Sequence, residues 1–203
     1  MESMRLFLFL ALLFSCSFSF AQNKKLVILG DSLTEGLGVA KDSAYPALVE
    51  KKIHDSGKKN WTVTNAGVSG STSASAVGRM KWLFKSKPDL LLIVLGANDG
   101  LRGLKIEDTE KNLAQAIEYA QNEKVPVVLG GLYVPPNYGK DYGDKFKKMY
   151  QDLANKYHVP LIPFLLDKVA GDPKLNQADG IHPTAKGHAL IADDLYKALK
   201  KYL

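Results

Sequence analysis

Cysteine is almost missing from this chain of 203 residues, which contains only Cys16. One cysteine cannot form an internal disulfide, so a small disulfide-stapled scaffold is excluded. The chain also lacks a strong compositional bias, since 46% of its residues are hydrophobic and 24% are charged. These proportions exclude a disordered or collagen-like chain. The chain also lacks internal repeats and linkers, and its length suits a single domain.

A hydrophobic run long enough for a membrane-spanning helix is not found at the N-terminus. The apolar run at residues 6–14 has nine residues, whereas a spanning helix needs about 20. Ser19 and Ala21 then supply small residues at the two positions that a signal peptidase inspects. We therefore expect residues 1–21 to be a signal peptide and residues 22–203 to be an exported domain, periplasmic or secreted. The alternative is a lipobox in which Cys16 is acylated and tethers the protein to a membrane.

A nucleic-acid-binding pattern is also missing, although Lys and Arg outnumber Asp and Glu by 27 to 21. No basic stripe is interleaved with aromatics, so we expect lysines on solvated helix faces and no nucleic-acid partner. No zinc-ligand spacing occurs either. His54, His158 and His188 lie singly on predicted helices, and we interpret them as surface or core residues. We expect no metal and no cofactor.

Short apolar runs alternate with helical patterns from Lys24 onward. This alternation predicts an α/β fold with a mostly parallel sheet covered by helices on both faces. The predicted strands are residues 26–29, 61–64, 90–95, 125–129 and 160–162. The predicted helices are residues 46–56, 74–85, 107–122, 142–157 and 184–202.

Polar loops containing glycine follow the first three predicted strands, at residues 30–32, 65–67 and 96–100. In an open α/β sheet the loops at the carboxyl ends of the strands lie on one edge, where ligands bind. The sequence therefore predicts a single site built from these three loops.

Ser32 directly follows the first predicted strand, and a serine so placed is either a helix cap or a nucleophile. Asp179 and His182 lie three residues apart before the last helix. That spacing allows the carboxylate to orient the imidazole as a general base, or simply to cap a turn. The Ser32 N–H, the Gly67 N–H and the Asn98 amide are candidate donors for an oxyanion. Gly67 and Asn98 could equally serve only turns.

Four blocks of this sequence resemble, in order, those that define the SGNH (GDSL) hydrolase family. Further similarity, at residues 100–103 and 137–139, points to its subgroup of periplasmic acyl-CoA thioesterases that are also lysophospholipases and arylesterases. The four blocks are residues 30–33, the Gly67 loop, residues 96–99 and residues 179–183.

The resemblance implies a flavodoxin-like three-layer α/β/α sandwich whose five-stranded parallel sheet has the order 2-1-3-4-5. It implies Ser32 as the nucleophile of an acyl-enzyme, His182 as base and Asp179 as its partner. Ser32, Gly67 and Asn98 would be the oxyanion donors. One departure is Glu35, which makes the turn after the nucleophile more acidic and bears on which substrates approach.

The implied substrates are small acyl esters or thioesters, with membrane lipid as a transient source, and we expect a monomer. A carbohydrate acetyl esterase of the same superfamily is an alternative. A non-catalytic module binding phosphate or flavin at the same edge is another, although Asp31 and Glu35 would repel phosphate. Four apolar loop residues are candidates for the substrate pocket or, alternatively, for core packing: Leu101, Leu104, Tyr133 and Tyr138.

Overall fold

The computed structural model describes residues 22–203. The predicted signal peptide of residues 1–21, and the alternative lipid site at Cys16, lie outside the described residues. Within residues 22–203, no helix is both long enough and apolar enough to cross a bilayer.

A five-stranded sheet lies at the centre of the fold, with the strand order β2-β1-β3-β4-β5. Every neighbouring pair in it is parallel, which confirms the predicted sheet and its order. The strands are β1 (Lys24–Gly30), β2 (Trp61–Gly67), β3 (Leu90–Val94), β4 (Val127–Gly130) and β5 (Leu161–Ile162).

The central strands are buried because both of their sides are apolar. All five residues of β3 are buried, as expected for a strand with helices on each face. The main difference from prediction is the length of β2, which continues three residues further to Gly67, opposite Gly30 of β1. Residues 65–67 therefore belong to the sheet and not to the loop that follows it.

The predicted helices are all present, with ends shifted by a few residues. Two short helices, α1 and α4, were not predicted, and each begins directly beyond a central strand. The α-helices are α1 (Ser32–Glu35), α2 (Tyr45–Asp55), α3 (Ala76–Leu83), α4 (Ala97–Leu101), α5 (Ile106–Asn122), α6 (Lys140–Tyr157) and α7 (Ala185–Leu199).

The helices form two layers, one on each face of the sheet. Helix α2 packs against α7, whereas α5 packs against both α3 and α6. Right-handed crossovers explain this division, because the chain moves one way from β1 to β2 and the other way through β3, β4 and β5. The result is the expected three-layer sandwich.

Helix α7 positions the loop that carries Asp179 and His182. The Thr184 hydroxyl caps α7 by accepting from the Gly187 N–H at 3.4 Å. The apolar side chains of Ile191 and Leu195 are buried against the core. The preceding loop is thereby held at the carboxyl end of β1. Because the strand order reverses between β1 and β3, this is the crevice where such sheets bind ligands.

Candidate active site

Ser32 lies where β1 turns sharply into α1. The helix cap is Asp31, whose carboxylate accepts from the Leu33 N–H at 3.0 Å. Helix α1 is only four residues long and ends at Gly36, whose φ of 85° is in the left-handed region that suits glycine. Ser32 is therefore not the cap of this helix, and its hydroxyl is available for other contacts.

The structure brings Ser32, His182 and Asp179 together. The His182 Nε2 lies 2.9 Å from the Ser32 Oγ, and its Nδ1 lies 2.7 Å from the Asp179 Oδ2. An ionised carboxylate can only accept, so Nδ1 carries the proton and Nε2 is left to accept from the Ser32 hydroxyl. This is the arrangement in which a serine can be deprotonated by a histidine.

Asp179 is held in its ionised form. Its other oxygen, Oδ1, accepts from the backbone N–H groups of Ile181 and His182, each at 3.0 Å. The hydrogen bond from the His182 ring, followed by these two backbone bonds, lowers the pKa of Asp179 to about 2. The carboxylate is thus charged at neutral pH.

Gln177 fixes the loop that carries these two residues, and sequence reasoning missed it. Its backbone N–H donates to the His182 carbonyl at 2.7 Å. Its side-chain amide donates to the Leu37 carbonyl at 2.7 Å and to the Pro183 carbonyl at 3.0 Å. One glutamine therefore ties the His182 loop both to itself and to the segment after α1.

The structure does not bring Gly67 to the site as an oxyanion donor. Its N–H donates to the Asn65 side chain at 2.9 Å, and it is absent from the cavity wall. A Cβ at this position would lie 2.0 Å from the Glu35 nitrogen. A glycine at position 67 therefore allows the backbones of β2 and α1 to pack closely together. Gly70, three residues further on, lines the cavity with Ser32 and Asn98.

The segment at Gly70 is held by side chains of α4 and the residue after it. Asn98 Nδ2 donates to the Ser71 carbonyl at 3.1 Å, and Arg102 Nη2 donates to the Gly70 carbonyl at 2.8 Å. The buried carboxylate of Asp99 accepts from the Ser73 N–H at 2.8 Å and from its hydroxyl at 2.5 Å. The segment of residues 70–73 is therefore fixed by side chains that follow β3 in the chain.

Asp31 lies beside Ser32 and is almost completely buried. Burial raises its pKa to about 6, although hydrogen bonds from the Leu33 N–H and the Asn98 amide oppose that rise. The Asn98 amide lies 3.3 Å from Asp31 Oδ2. Asn98 is therefore linked to the residue that precedes Ser32.

Arg79, on α3, was also missed by sequence reasoning. Its guanidinium donates to the Gly30 carbonyl at 2.9 Å and to the Ala66 carbonyl. These carbonyls lie near the ends of β1 and β2, and the Gly30 carbonyl also accepts from the Val68 N–H at 3.2 Å. Arg79 thus joins the two strand ends next to Ser32.

A mainly apolar cavity of about 600 Å³ opens beside Ser32 and His182. Two of the four predicted pocket residues, Leu101 and Tyr133, line it. The Tyr133 ring stacks on that of Phe164 with 4.0 Å between centroids. Further apolar wall residues, which the sequence did not single out, include Leu37, Leu132, Val134, Pro135, Phe164, Leu166 and Ile181.

Leu104 and Tyr138 do not line this cavity, so their prediction as pocket residues is wrong. Leu104 is 40% exposed. The Tyr138 hydroxyl donates to the Leu101 carbonyl at 2.6 Å, and the Tyr142 hydroxyl donates to the Leu104 carbonyl at 2.9 Å. These two hydrogen bonds fix the backbone of the loop between Leu101 and Leu104.

Two of the three remaining histidines, His54 and His188, have structural side-chain contacts. His54 Nε2 lies 2.6 Å from the Trp61 carbonyl, and the buried His188 Nδ1 accepts from the Tyr45 N–H at 3.2 Å. Burial lowers the pKa of His188 to about 4, so it is neutral at physiological pH. In the described part of the chain, no group of three His, Cys, Asp or Glu residues could hold a metal ion.

A serine, a histidine and an aspartate in this geometry, at the carboxyl edge of a parallel sheet, define a serine hydrolase. Comparison with known proteins agrees. Residues 28–190 match the GDSL-like Lipase/Acylhydrolase family, and the chain belongs to that family. This is the family that the four sequence blocks predicted.

Named relatives cover nearly the whole chain. It is 36% identical to Esterase TesA of Pseudomonas aeruginosa, over 90% of this chain and 91% of the relative. It is 37% identical to the Thioesterase 1/protease 1/lysophospholipase L1 of Escherichia coli K12, over 96% and 90% of the two chains. The crystal structure of the psychrotrophic esterase EstA from Pseudoalteromonas, inhibited by monoethylphosphonate, superposes with a TM-score of 0.83 at 32% identity, covering 88% and 98%.

Proposed function

We propose that this enzyme hydrolyses carboxylic esters and thioesters of apolar acyl chains through an acyl-enzyme on Ser32. The observation that carries the proposal is the pair of hydrogen bonds at His182, which accepts from the Ser32 hydroxyl and donates to the Asp179 carboxylate. The names of the relatives, an esterase and a thioesterase, support the same chemistry.

The geometry supports a two-step reaction. His182 Nε2 takes the Ser32 proton as Oγ attacks the acyl carbonyl, and the imidazolium is stabilised by Asp179. The proton then passes to the departing alcohol or thiol, which leaves the acyl group on Ser32. Water, deprotonated by His182, attacks this ester in the second step and releases the acid.

The oxyanion formed in each step needs fixed donors, and we assign them to Ser32, Gly70 and Asn98. The Ser32 N–H lies in the first turn of α1 and has no intrahelical acceptor. No acceptor among residues 22–203 takes the Gly70 N–H. Asn98 lies on the cavity wall, and its Nδ2 would donate to the oxyanion in place of its longer contact, the one of 3.3 Å to Asp31 Oδ2. Gly70 thus replaces Gly67 in the set expected from the sequence.

The cavity wall favours an acyl chain over a sugar as the substrate. Its aromatic, leucine, valine and proline residues offer apolar surface, which stabilises a bound chain by about 25 cal/mol per Å² buried. We retain export, with residues 1–21 as a signal peptide, and a monomeric state as parts of the proposal. Free esters and thioesters and membrane lipids all supply such chains.

Hydrolysis of a series of p-nitrophenyl esters tests the proposal. We expect activity toward butyrate and longer esters that disappears in Ser32→Ala, with kcat/KM increasing from acetate to medium chains. Release of acetate from acetylated xylan at a higher rate than from acyl esters would instead support the carbohydrate esterase alternative. Activity that survives in Ser32→Ala would overturn the assigned nucleophile.

A further inference from the structure

Glu35 forms a contact that the reaction described above does not use. It is the last residue of α1, three positions after Ser32, and its side chain is exposed. Its Oε2 accepts from the Ser69 backbone N–H at 2.7 Å and also from the Ser69 hydroxyl. The carboxylate therefore connects the helix of the nucleophile to the loop beyond β2.

The position of Ser69 gives this contact its importance. Ser69 precedes Gly70, so the peptide group between them carries the proposed oxyanion N–H. Within the described residues, Glu35 is the acceptor for the Ser69 N–H. On the other side, Arg102 holds the Gly70 carbonyl at 2.8 Å. The peptide that presents the donor is thus anchored both before and after it.

Backbone packing places Glu35 within reach of Ser69. Gly67 has no side chain, and an added Cβ would lie 2.0 Å from the Glu35 nitrogen and 2.6 Å from its Cα. The close approach brings the end of α1 against the end of β2, from which the loop to Ser69 starts. An alanine at position 35 would keep that packing but would leave the Ser69 N–H without its acceptor.

We propose that Glu35 is a positioning residue whose carboxylate, by holding Ser69, directs the Gly70 N–H toward the oxyanion. The inference rests on the proposed function and deepens it. It differs from the expectation that an acidic turn acts through charge on the approaching substrate. Here the hydrogen-bond acceptor is required, and the negative charge is not.

The comparison of Glu35→Gln with Glu35→Ala separates acceptor from charge. Both variants lose the charge, but glutamine keeps a side-chain oxygen that can accept both bonds from Ser69. Asp42→Ala is the matched control, because Asp42 is an exposed carboxylate seven residues further along the chain and, among residues 22–203, its side chain accepts a hydrogen bond from Ser43 alone. Thermal unfolding of each variant shows that the fold is retained.

We expect Glu35→Ala to lower kcat about tenfold for a p-nitrophenyl ester with KM unchanged. Complete loss of an oxyanion donor costs about 100- to 1000-fold, and a misdirected donor costs less. Glu35→Gln and Asp42→Ala should stay within about twofold of the parent protein. Equal losses in the Gln and Ala variants, or a change confined to KM, would overturn the proposal.

Amide hydrogen exchange tests the anchoring without catalysis. The Ser69 amide should exchange about tenfold faster in Glu35→Ala than in Glu35→Gln, because only the alanine variant loses the acceptor of that N–H. Equal exchange in the two variants would overturn the anchoring. If exchange responds as expected but the parent protein shows no Ser32-dependent hydrolysis, then the proposed function fails and the anchoring of the loop by Glu35 stands.

Discussion

His182 Nε2 lies 2.9 Å from Ser32 Oγ, although 150 residues separate the two in the chain. The position of Ser32 is fixed by the end of the buried central strand β1. His182 lies in the loop directly before α7, the helix that packs on α2. Gln177 holds this loop by a hydrogen bond to the segment after α1. Gln177 thus links the segments that carry the two side chains, which allows the hydrogen bond to exist before any substrate is bound.

Asp179→Asn should reduce kcat by about a hundredfold or more with little change in KM. Asparagine can donate to the imidazole through its amide, which favours the tautomer with Nδ1 unprotonated and Nε2 unable to accept from Ser32. Steady-state kinetics on a p-nitrophenyl ester measure this effect. Asp172→Asn is the control, because Asp172 lies in the same loop region but contacts Lys174 instead. A variant at position 179 with full kcat would contradict the role of Asp179.

Gly67→Ala should mainly lower the stability of the protein, whereas Gly70→Ala should mainly lower kcat. At Gly67 the new Cβ would meet backbone at 2.0 Å, so we expect a loss of about 2 kcal/mol or more in the free energy of unfolding. At Gly70 the nearest heavy atom is Arg102 Nη2 at 3.6 Å, and the φ of 75° strains alanine by only about 1 kcal/mol. Urea unfolding and kcat, measured together, separate the two.

Gly70→Ala should lose much more of its activity than of its stability. If Gly67→Ala were fully stable and lost only kcat, Gly67 would be the oxyanion donor and the assignment of Gly70 would be wrong.

Arg102 and Glu35 hold the backbone on the two sides of the Ser69–Gly70 peptide, so their effects should be coupled. Removal of either anchor frees the Ser69–Gly70 peptide, and removal of the second then changes little more. We expect the loss of kcat in the double variant Glu35→Ala/Arg102→Ala to be smaller than the product of the two single losses. A double-mutant cycle measures the coupling. Independent, multiplicative losses would show that the two side chains act at different places.

Asp31→Asn should change how stability depends on pH. The pKa of Asp31 is raised from 3.8 to about 6 by burial, so its contribution to stability is greatest below pH 3.8 and is lost as pH rises through about 6. The pKa of His188 is lowered from 6.5 to about 4. The contribution of His188 to stability is present above pH 6.5 and is lost as pH falls through about 4. Acidification therefore changes the stability in opposite directions through Asp31 and His188.

Acidification from pH 7 to pH 4 should therefore destabilise Asp31→Asn more than the parent protein, by about 2 kcal/mol. The measurement is urea unfolding at the two pH values. Identical pH dependence in the two proteins would show that Asp31 is ionised normally in the folded state.

The sheet could be predicted from the sequence because each central strand is a continuous apolar run, and β3, with five buried residues in succession, is the clearest case. The pairing of Asp179 with His182 was predictable because their spacing is local. The choice of Gly67 failed because two glycines lie three residues apart, and only the Asn65 contact shows which N–H is already used.

Other parts of the site depend on contacts between distant segments, which no local pattern contains. Tyr138 was expected in the pocket, but its hydroxyl donates to the Leu101 carbonyl and its side chain does not line the cavity. The sequence did not single out Arg79, which joins the ends of β1 and β2. Both roles follow from how the layers pack.

The most direct test of the central claim is covalent labelling by a p-nitrophenyl phosphonate ester, followed by mass spectrometry of the peptides. The phosphonate takes the place of the tetrahedral intermediate, so it should modify one residue, Ser32, with release of one p-nitrophenol per protein molecule. Labelling should be absent in Ser32→Ala and much slower in a variant that lacks His182. An adduct on another residue, or a protein that hydrolyses esters but remains unlabelled at Ser32, would contradict the account.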